Sequence, residues 1–548
     1  MEPLDPGLVT ALLRADAYPA DARAGEGIAQ VQTHLSHVFL LPERVYKLHK
    51  AVQFGFVDFS TRALRNEDSL REVRLNRRLA AEVYLGVAPL LHTPAGVRVG
   101  AVQQELAPAA PGSAAPEHCV VMKRLSAGRD AQTLLARGEL TAAHVDAIAA
   151  RIAEFHAAHG LGAPAPFPSA EWRERVLAPV RESFAELAAS GPLAARATAA
   201  LERVEAFAAG HGARFETRRQ AGRIVDGHGD LHLQHVWFER AGEPPLMIDC
   251  LEFRDDYRQI DAASEVAFLA MDLAYRGRHD LGERFLRRYA EASDDFDLYG
   301  VVDFFVAYRA AVRGKVASLA ARDPDVPAEQ RRLAAESADR HLALAERALA
   351  QPARGELVAV GGIVGTGKST VARALAELCE GVVISSDRVR KRQAALPATA
   401  RGHAELYTDE RTSRTYAGLL ERALPVVRSG RLAILDATWA RAVLRAPLLA
   451  FASEHGVRAL LVETVCEPSV ARARLAARAR TGTDPSDAGP ELYAASAAGF
   501  EPPHEWPAGA RAVIATDRES WRADLDSVRE RLGLRIPAPI LRSVSSKP

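Results

Sequence analysis

The chain has 548 residues, more than one hydrophobic core usually organises, so two or three domains are expected. Its 70 Lys and Arg balance 70 Asp and Glu, so no global field favours nucleic acid, an anionic membrane surface or acidic partners, and any charge-based function is local. Cys119, Cys250, Cys379 and Cys466 lie far apart without C-x-x-C spacing, which fits neither a zinc site nor a disulfide framework and points to a reducing compartment.

The N-terminal stretch MEPLDPGLVTALL places acids and prolines where a secretory signal has basic and then apolar residues. No apolar run approaches the roughly 18 residues of a membrane helix, so a cytoplasmic location with no membrane partner is expected. VQTHLSHVFLL, the turn PER and VYKLHKAV predict a hairpin, and RNEDSLREVRLNRRLAAEVY predicts a helix. Together they make a small sheet-based lobe reaching about residue 125. After APAAPGSAAPEH comes the strand CVVMKRL, and the pattern then turns helical, as in LTAAHVDAIAARIAEFHAAHG, giving a helical lobe over about 126–350.

Within that lobe HGDLHLQHVWF runs from His228 to Phe238, and LMIDCLEF follows a Gly/Pro turn with Asp249 at the end of an apolar strand. DPDVPAEQRRLAAESADRHLALAERALAQPARG predicts one long helix bracketed by prolines and Gly355, with a domain boundary near its end. Beyond it ELVAVGG, GVVISSD, RLAILDAT and RALLVETV are short apolar strands separated by helical stretches. Over 355–535 they predict a parallel, doubly wound sheet. The Pro/Ser-rich tail, 536–548, is expected to be disordered.

GIVGTGKS, Gly362 to Ser369, satisfies G-x-x-x-x-G-K-[ST] between a strand and a helix. Gly362, Gly365 and Gly367 let backbone N–H groups turn toward phosphates, Lys368 reaches the outer phosphates, the Ser369 hydroxyl ligates magnesium, and Thr370 adjoins them at the helix start. ATP with Mg2+ is therefore the expected ligand. Asp436 ends the strand RLAIL, where a P-loop enzyme holds magnesium through water; ordinary turn chemistry is the alternative. ISSDRVRK ends the second strand. Asp387 there is placed to accept an acceptor hydroxyl's proton, with Arg390 and Lys391 gripping an anionic group, and a plain helix N-cap is the competing reading. In ARARLAARARTGTDPSDAG, Arg474, Arg478 and Arg480 precede a Gly/Pro/Asp loop in the manner of a lid, with Arg478 or Arg480 as phosphate clamp. The Ala/Arg bias of the whole chain argues for discounting that cluster.

Residues 355–515 resemble the P-loop kinases that include gluconate kinase, polynucleotide kinase and the zeta toxins. The resemblance rests on GIVGTGKS and ISSDRVRK and implies phosphorylation of a hydroxyl with Asp387 as base. HGDLH resembles the H-G-D-x-H signature of aminoglycoside phosphotransferases, relatives of protein kinases with a bilobal fold. That resemblance implies Asp230 as the base orienting the acceptor hydroxyl and Asp249 as the magnesium ligand. It further implies Lys47 as the phosphate-pairing lysine, with Lys50 as competitor, and Glu72 as its helix partner. His235 stands five residues after Asp230, where the kinase loop carries a metal-binding Asn. Imidazole is a poor magnesium ligand, so the site is expected to run on one ion, to favour Mn2+, or to bind nucleotide without turnover.

Over its whole length the chain resembles bacterial fusions of an aminoglycoside phosphotransferase-like domain with a P-loop ATP-binding domain, on THLSHVFL, YKLHK, FGFVDFSTR, LNRRLAAEVYLGV, HGDLH and DCLEFRDDYRQIDAASEVAFLAMDL. The fold class expected is mixed α/β and α+β, bilobal kinase-like over 1–350 and P-loop type after it. The implied function is a bifunctional ATP-dependent phosphotransferase acting on a small-molecule hydroxyl. The alternatives are an ATP-binding regulatory protein with a degenerate first domain, and a kinase of nucleotide sugars or polynucleotide ends. The last is disfavoured because no basic stripe with interleaved aromatics surrounds 387–480, so nucleic acid is not an expected partner. No motif specifies the acceptor or an oligomeric state.

Overall fold

The computed structural model describes residues 2–55, 57–106, 115–189, 191–397, 400, 404–481 and 489–533. The expected disordered tail and most of the loop after Arg480 lie outside the described residues. The chain divides into two compact units: Met1–Pro179 with Phe215–Asp272, and Val180–Arg214 with Leu273–Pro548.

The first unit is built on a six-stranded antiparallel sheet of β1 (Ala29–Gln32), β2 (Ser36–Leu40), β3 (Arg44–His49), β4 (Tyr84–Thr93), β5 (Gly96–Val99) and β6 (Glu117–Lys123), in the order β1-β2-β3-β6-β4-β5. The expected hairpin is β2–β3, with Ser36 opposite His49 and Leu40 opposite Val45. Strand alternation on β3 sends Tyr46 and Leu48 into a core with Phe39, Cys119 and Val121. Lys47 and His49 point to the other face, which is covered by α1 (Arg62–Ala80). Thr61 caps α1 by accepting the Leu64 N–H. The helix stops at Ala80, short of the expected Tyr84, because Tyr84 already belongs to β4, where it is buried and its carbonyl accepts from the Arg77 guanidinium at 3.0 Å.

Further along, Ile224–Asp226 pairs antiparallel with Gln259–Asp261, and Val236–Trp237 with Leu246–Met247. These two short ladders hold the 228–235 loop beside Asp249.

In the second unit, helices Val302–Arg322 and Ala328–Ala348 pack together, and Tyr275 stacks on His341 at 3.8 Å. Its sheet comprises β7 (Leu357–Gly361), β8 (Val382–Ser385), β9 (Ala433–Asp436), β10 (Ala459–Val465) and β11 (Arg511–Ala515), all parallel, in the order β8-β9-β7-β10-β11. Four of these strands are the four expected from sequence. The fifth, β11, is an edge strand with one buried residue in RAVIA, which is too weak an apolar signal to read. Central β7 is buried throughout, as a strand covered on both faces must be. Between β7 and α2 (Lys368–Cys379) lies the glycine loop. Among the described residues no helix is long and apolar enough to cross a membrane.

Candidate active sites

Lys47 Nζ lies 2.9 Å from Glu72 Oε1 and 3.6 Å from Asp249 Oδ1. Lys50 instead donates to the Gln32 side chain and the Thr33 carbonyl, because its position after β3 puts it at the sheet margin. Burial alone would lower the Lys47 pKa, but the Glu72, Asp249 and Glu252 carboxylates outweigh it and hold the ammonium well above its ordinary range.

His235 stands between the two loop carboxylates. Its Nδ1–H donates to the Asp230 carbonyl at 2.9 Å, which leaves Nε2 facing Asp249 Oδ2 at 3.4 Å. A backbone acceptor on one ring nitrogen is the usual way a metal-ligating imidazole is oriented. Two ligands of a single ion with bonds of about 2.1 Å sit about 3.0–3.4 Å apart, so Asp249 and His235 together fit a divalent cation. His232 Nε2 approaches Asp230 Oδ2 at 3.5 Å. Burial would raise the Asp230 carboxyl, yet the His232 hydrogen bond and the neighbouring imidazoles hold it below the usual carboxylate range. His228 is fully buried, and that burial drives its pKa down to about 3; its neutral ring donates from Nε2 to the Ile248 carbonyl.

Four residues that sequence reading missed brace this loop. The buried Glu265 carboxylate accepts the N–H groups of His228 at 2.8 Å and Gly229 at 3.1 Å. A side chain at Gly227 would collide with Glu265 Oε2 at 1.9 Å, so glycine is required there. Asp272 accepts the Leu233 N–H. Asn76, one turn after Glu72 on α1, accepts the Cys250 N–H at 2.8 Å, and the Tyr84 hydroxyl accepts the Asp249 N–H at 3.1 Å. Asp249 thereby sits at φ 62, a strained conformation for a non-glycine residue that its neighbours enforce. One signal was available: Glu265 and Asp272 are acids inside the otherwise apolar helix Ala262–Tyr275.

In the second unit Gly362, Gly365 and Gly367 have φ values of 135, 83 and 88, all in the region that favours glycine. A Cβ at Gly362 would meet the Thr464 carbonyl at 2.5 Å. Lys368 Nζ donates to the Ile363 carbonyl at 2.9 Å, folding over the loop that is to receive phosphate. Burial lowers its pKa, against the pull of Asp436 and Asp387 and with added repulsion from Arg478. Asp436, at the end of β9, is buried and pushed up to about 6 by that burial, while the Ser369 hydroxyl and Lys368 act in the opposite direction. Thr370 follows in the first turn of α2. Asp387 opens α3 (Ser386–Gln393) next to these groups, with no side-chain cap from Ser385.

Arg390 is buried and donates to the Leu406 carbonyl, and Lys391 is buried beside it, so neither presents a free charge to solvent. On α4 (Pro468–Thr481), Arg478 is half-buried and faces Lys368 electrostatically, whereas Arg480 is exposed. Arg474 lies closer to the glycine loop, donating to the Thr516 hydroxyl and carbonyl at 2.8 Å each, with its Nη1 3.5 Å from where a Cβ on Gly367 would stand.

The fold and these two clusters define a phosphoryl-transferring protein with a kinase-like module and a P-loop module. Residues 44–305 match the phosphotransferase enzyme family, and residues 357–503 match an AAA domain. Proteins of Mycobacterium tuberculosis and Mycobacterium bovis, both described as uncharacterized, are 36% identical over 502 residues, spanning 89% of this chain and 92% of theirs. The chain belongs to the family of these mycobacterial proteins, and it is an ATP-dependent phosphotransferase. Among solved structures, a gluconokinase from Sinorhizobium meliloti 1021 is 21% identical, covering 33% of this chain and 97% of its own at a TM-score of 0.24. A Plasmodium vivax ethanolamine kinase is 10% identical, covering 59% and 84% at a TM-score of 0.34. Likenesses at that level carry no argument about the acceptor.

Proposed function

We propose that the chain is bifunctional, each module transferring the γ-phosphate of ATP to a hydroxyl of a small molecule, with a module boundary near residue 354. The observation that carries the reading is the assembly of Lys47, Glu72, Asp249, His235 and Asp230 around one point, in a chain that also holds a complete glycine loop with Lys368, Ser369 and Asp436.

In the first module Lys47, held by Glu72, pairs the nucleotide phosphates. Asp230 accepts a hydrogen bond from the acceptor hydroxyl and orients its oxygen toward the γ-phosphorus. A new O–P bond forms as the bond from phosphorus to the β–γ bridging oxygen breaks, ADP leaves, and the hydroxyl proton passes to the Asp230 carboxylate. Because that carboxylate is held below its ordinary range, its first role is orientation, with proton transfer late. In the second module the backbone of 362–367 cradles the phosphates, Lys368 swings from the Ile363 carbonyl onto them, Asp387 receives the acceptor proton, and Arg474 or Arg478 steadies the transferring group. Asp249 and His235 in one module, and Ser369 and Asp436 in the other, would hold a divalent cation, which would supply charge neutralisation at the nucleotide phosphates. His235 favours Mn2+ in the first module, because nitrogen suits that softer ion better.

The test is transfer of label from γ-labelled ATP into a metabolite extract by the full chain, by Asp230→Asn, by Lys368→Ala and by the double variant. Each single variant is expected to remove a different labelled product and the double variant both. Lys368→Ala with unchanged ATP affinity and unchanged products would overturn the second assignment. A first module that labels nothing in the Lys368→Ala background, with any metal, would favour the regulatory reading of that module.

A further inference from the structure

Behind the Lys47–Glu72 pair lies a second group of ionisable side chains that phosphoryl transfer does not use. Strand alternation repeats the Lys47 direction at His49, and helical spacing repeats the Glu72 direction one turn earlier at Asp68. Glu252, three residues after Asp249, completes the group. His49, Asp68 and Glu252 are 2%, 8% and 5% exposed, and one ligand atom from each lies within 4.8 Å of the others. His49 Nε2 is 3.3 Å from Asp68 Oδ2 and 3.8 Å from Glu72 Oε2. These three atoms are buried and make no hydrogen bond. Buried polar atoms are almost always satisfied, so three unpaired ones aimed at a common point call for a missing partner.

Charge and geometry point to the same partner. Three buried carboxylates, Asp68, Glu72 and Glu252, share one buried cation, Lys47, which is engaged by Glu72. Two arginines act on the group from outside it and each has its own acid: half-buried Arg71, which pairs with Asp255, and buried Arg65, which pairs with Glu117. Left so, the group must hold protons. Burial accordingly drives Asp68 up to about 7 and Glu252 well above the carboxylate range, while it pushes His49 well below its ordinary value and keeps the imidazole neutral. The His49 ring is oriented from its far side by Nδ1 contact with the Ser36 hydroxyl at 3.1 Å, the arrangement that supports a metal-ligating imidazole. The 3.3 Å separation of His49 Nε2 and Asp68 Oδ2 is close to the edge, about 3.4 Å, of a tetrahedron with bonds of about 2.1 Å.

We propose that His49, Asp68 and Glu252 form a binding site for a divalent transition-metal cation, separate from the nucleotide site and closed by Glu72 Oε2 as its outer neighbour. One nitrogen with two carboxylate oxygens suits Zn2+ or Mn2+, not Ca2+ or Mg2+. Two ligands come from β3 and α1, so the cation pins the helix carrying Glu72 to the strand carrying Lys47. Uptake displaces the protons the carboxylates hold.

The experiment uses the full chain without nucleotide, carrying Asp230→Asn, His235→Ala and Asp249→Asn so that the loop cluster loses its metal ligands. Co2+ is titrated and followed by its visible d–d absorption, with Zn2+ as competitor. One equivalent is expected to bind, to release protons and to be displaced by Zn2+, and His49→Ala and Glu252→Gln, each added separately, should weaken binding roughly tenfold or more. Amide-exchange protection of peptides covering 44–49 and 62–80, in the unit that carries the substitutions, identifies which variants are folded; if His49→Ala is not, the Glu252→Gln result decides. No uptake by the parent, or undiminished affinity in either folded variant, would overturn the site and leave protons as the partners of these atoms.

Discussion

Replacing Asp436 with Asn should cost the second module its turnover while making the nucleotide-free chain more stable at alkaline pH. The carboxyl is 6% exposed at the end of β9, and its burial moves it from the ordinary 3.8 to about 6. At about 1.4 kcal/mol per pH unit, keeping it ionised in the folded chain costs about 3 kcal/mol. The sign follows from which state holds the proton. Between pH 3.8 and 6 the folded chain is protonated there and the unfolded chain is not, so stability is lost as pH rises through that window. Above it the full cost is present, and below it there is none.

The amide keeps the shape and still accepts the Ser369 hydroxyl but carries no charge. Asp436→Asn should therefore gain up to about 3 kcal/mol at pH 8, somewhat less because buried Lys368 loses a favourable neighbour, and close to nothing at pH 4. Hydrogen exchange of peptides covering 357–361 and 433–436 reads the opening free energy of this sheet without needing a two-state transition of the whole chain. A variant no more stable than the parent at pH 8, or a gain of the same size at pH 8 and pH 4, would refute the reasoning.

At Lys47, substitution by Met strands Glu72 without its cation and should weaken nucleotide binding in the first module at least tenfold, whereas Lys50→Met, which gives up only contacts to Gln32 and Thr33, should leave it unchanged; nucleotide titration of both in the Lys368→Ala background separates them. His235→Asn should shift the ratio of Mn2+-supported to Mg2+-supported turnover toward Mg2+, since an amide oxygen replaces the nitrogen facing Asp249, and an unchanged ratio would mean that His235 does not touch the metal. Glu265→Gln leaves one of the His228 and Gly229 N–H groups poorly paired, at about 1–3 kcal/mol, and should speed amide exchange over 228–229 and lower kcat more than KM; unchanged exchange there would show that the carboxylate does not hold the loop.

What the sequence could disclose was chemistry carried by contiguous backbone. The glycine loop was legible because Gly362, Gly365 and Gly367 act through their own main chain next to Lys368 and the helix they open, HGDLH was legible as a contiguous signature, and Asp249 because it ends the apolar stretch LMI. Four strands of the second sheet could be read because a strand buried on both faces is a nearly unbroken apolar run; edge strand β11, with one buried residue, could not.

The choice between Lys47 and Lys50 was left open because the sequence does not show where the strand carrying YKLHK ends. The end of β3 and its pairing with β2 and β6 settled which amine meets α1. The braces Asn76 and Tyr84, and the buried triad of His49, Asp68 and Glu252, were beyond sequence reading because each lies tens to hundreds of residues from its partners, and Glu265 and Asp272 showed only as acids in an apolar helix, without the loop they hold. Sequence periodicity gives the direction in which a side chain leaves its own element, but a hydrogen bond or a shared ion also requires the distance between two elements, and that distance exists only once the sheet and α1 have packed.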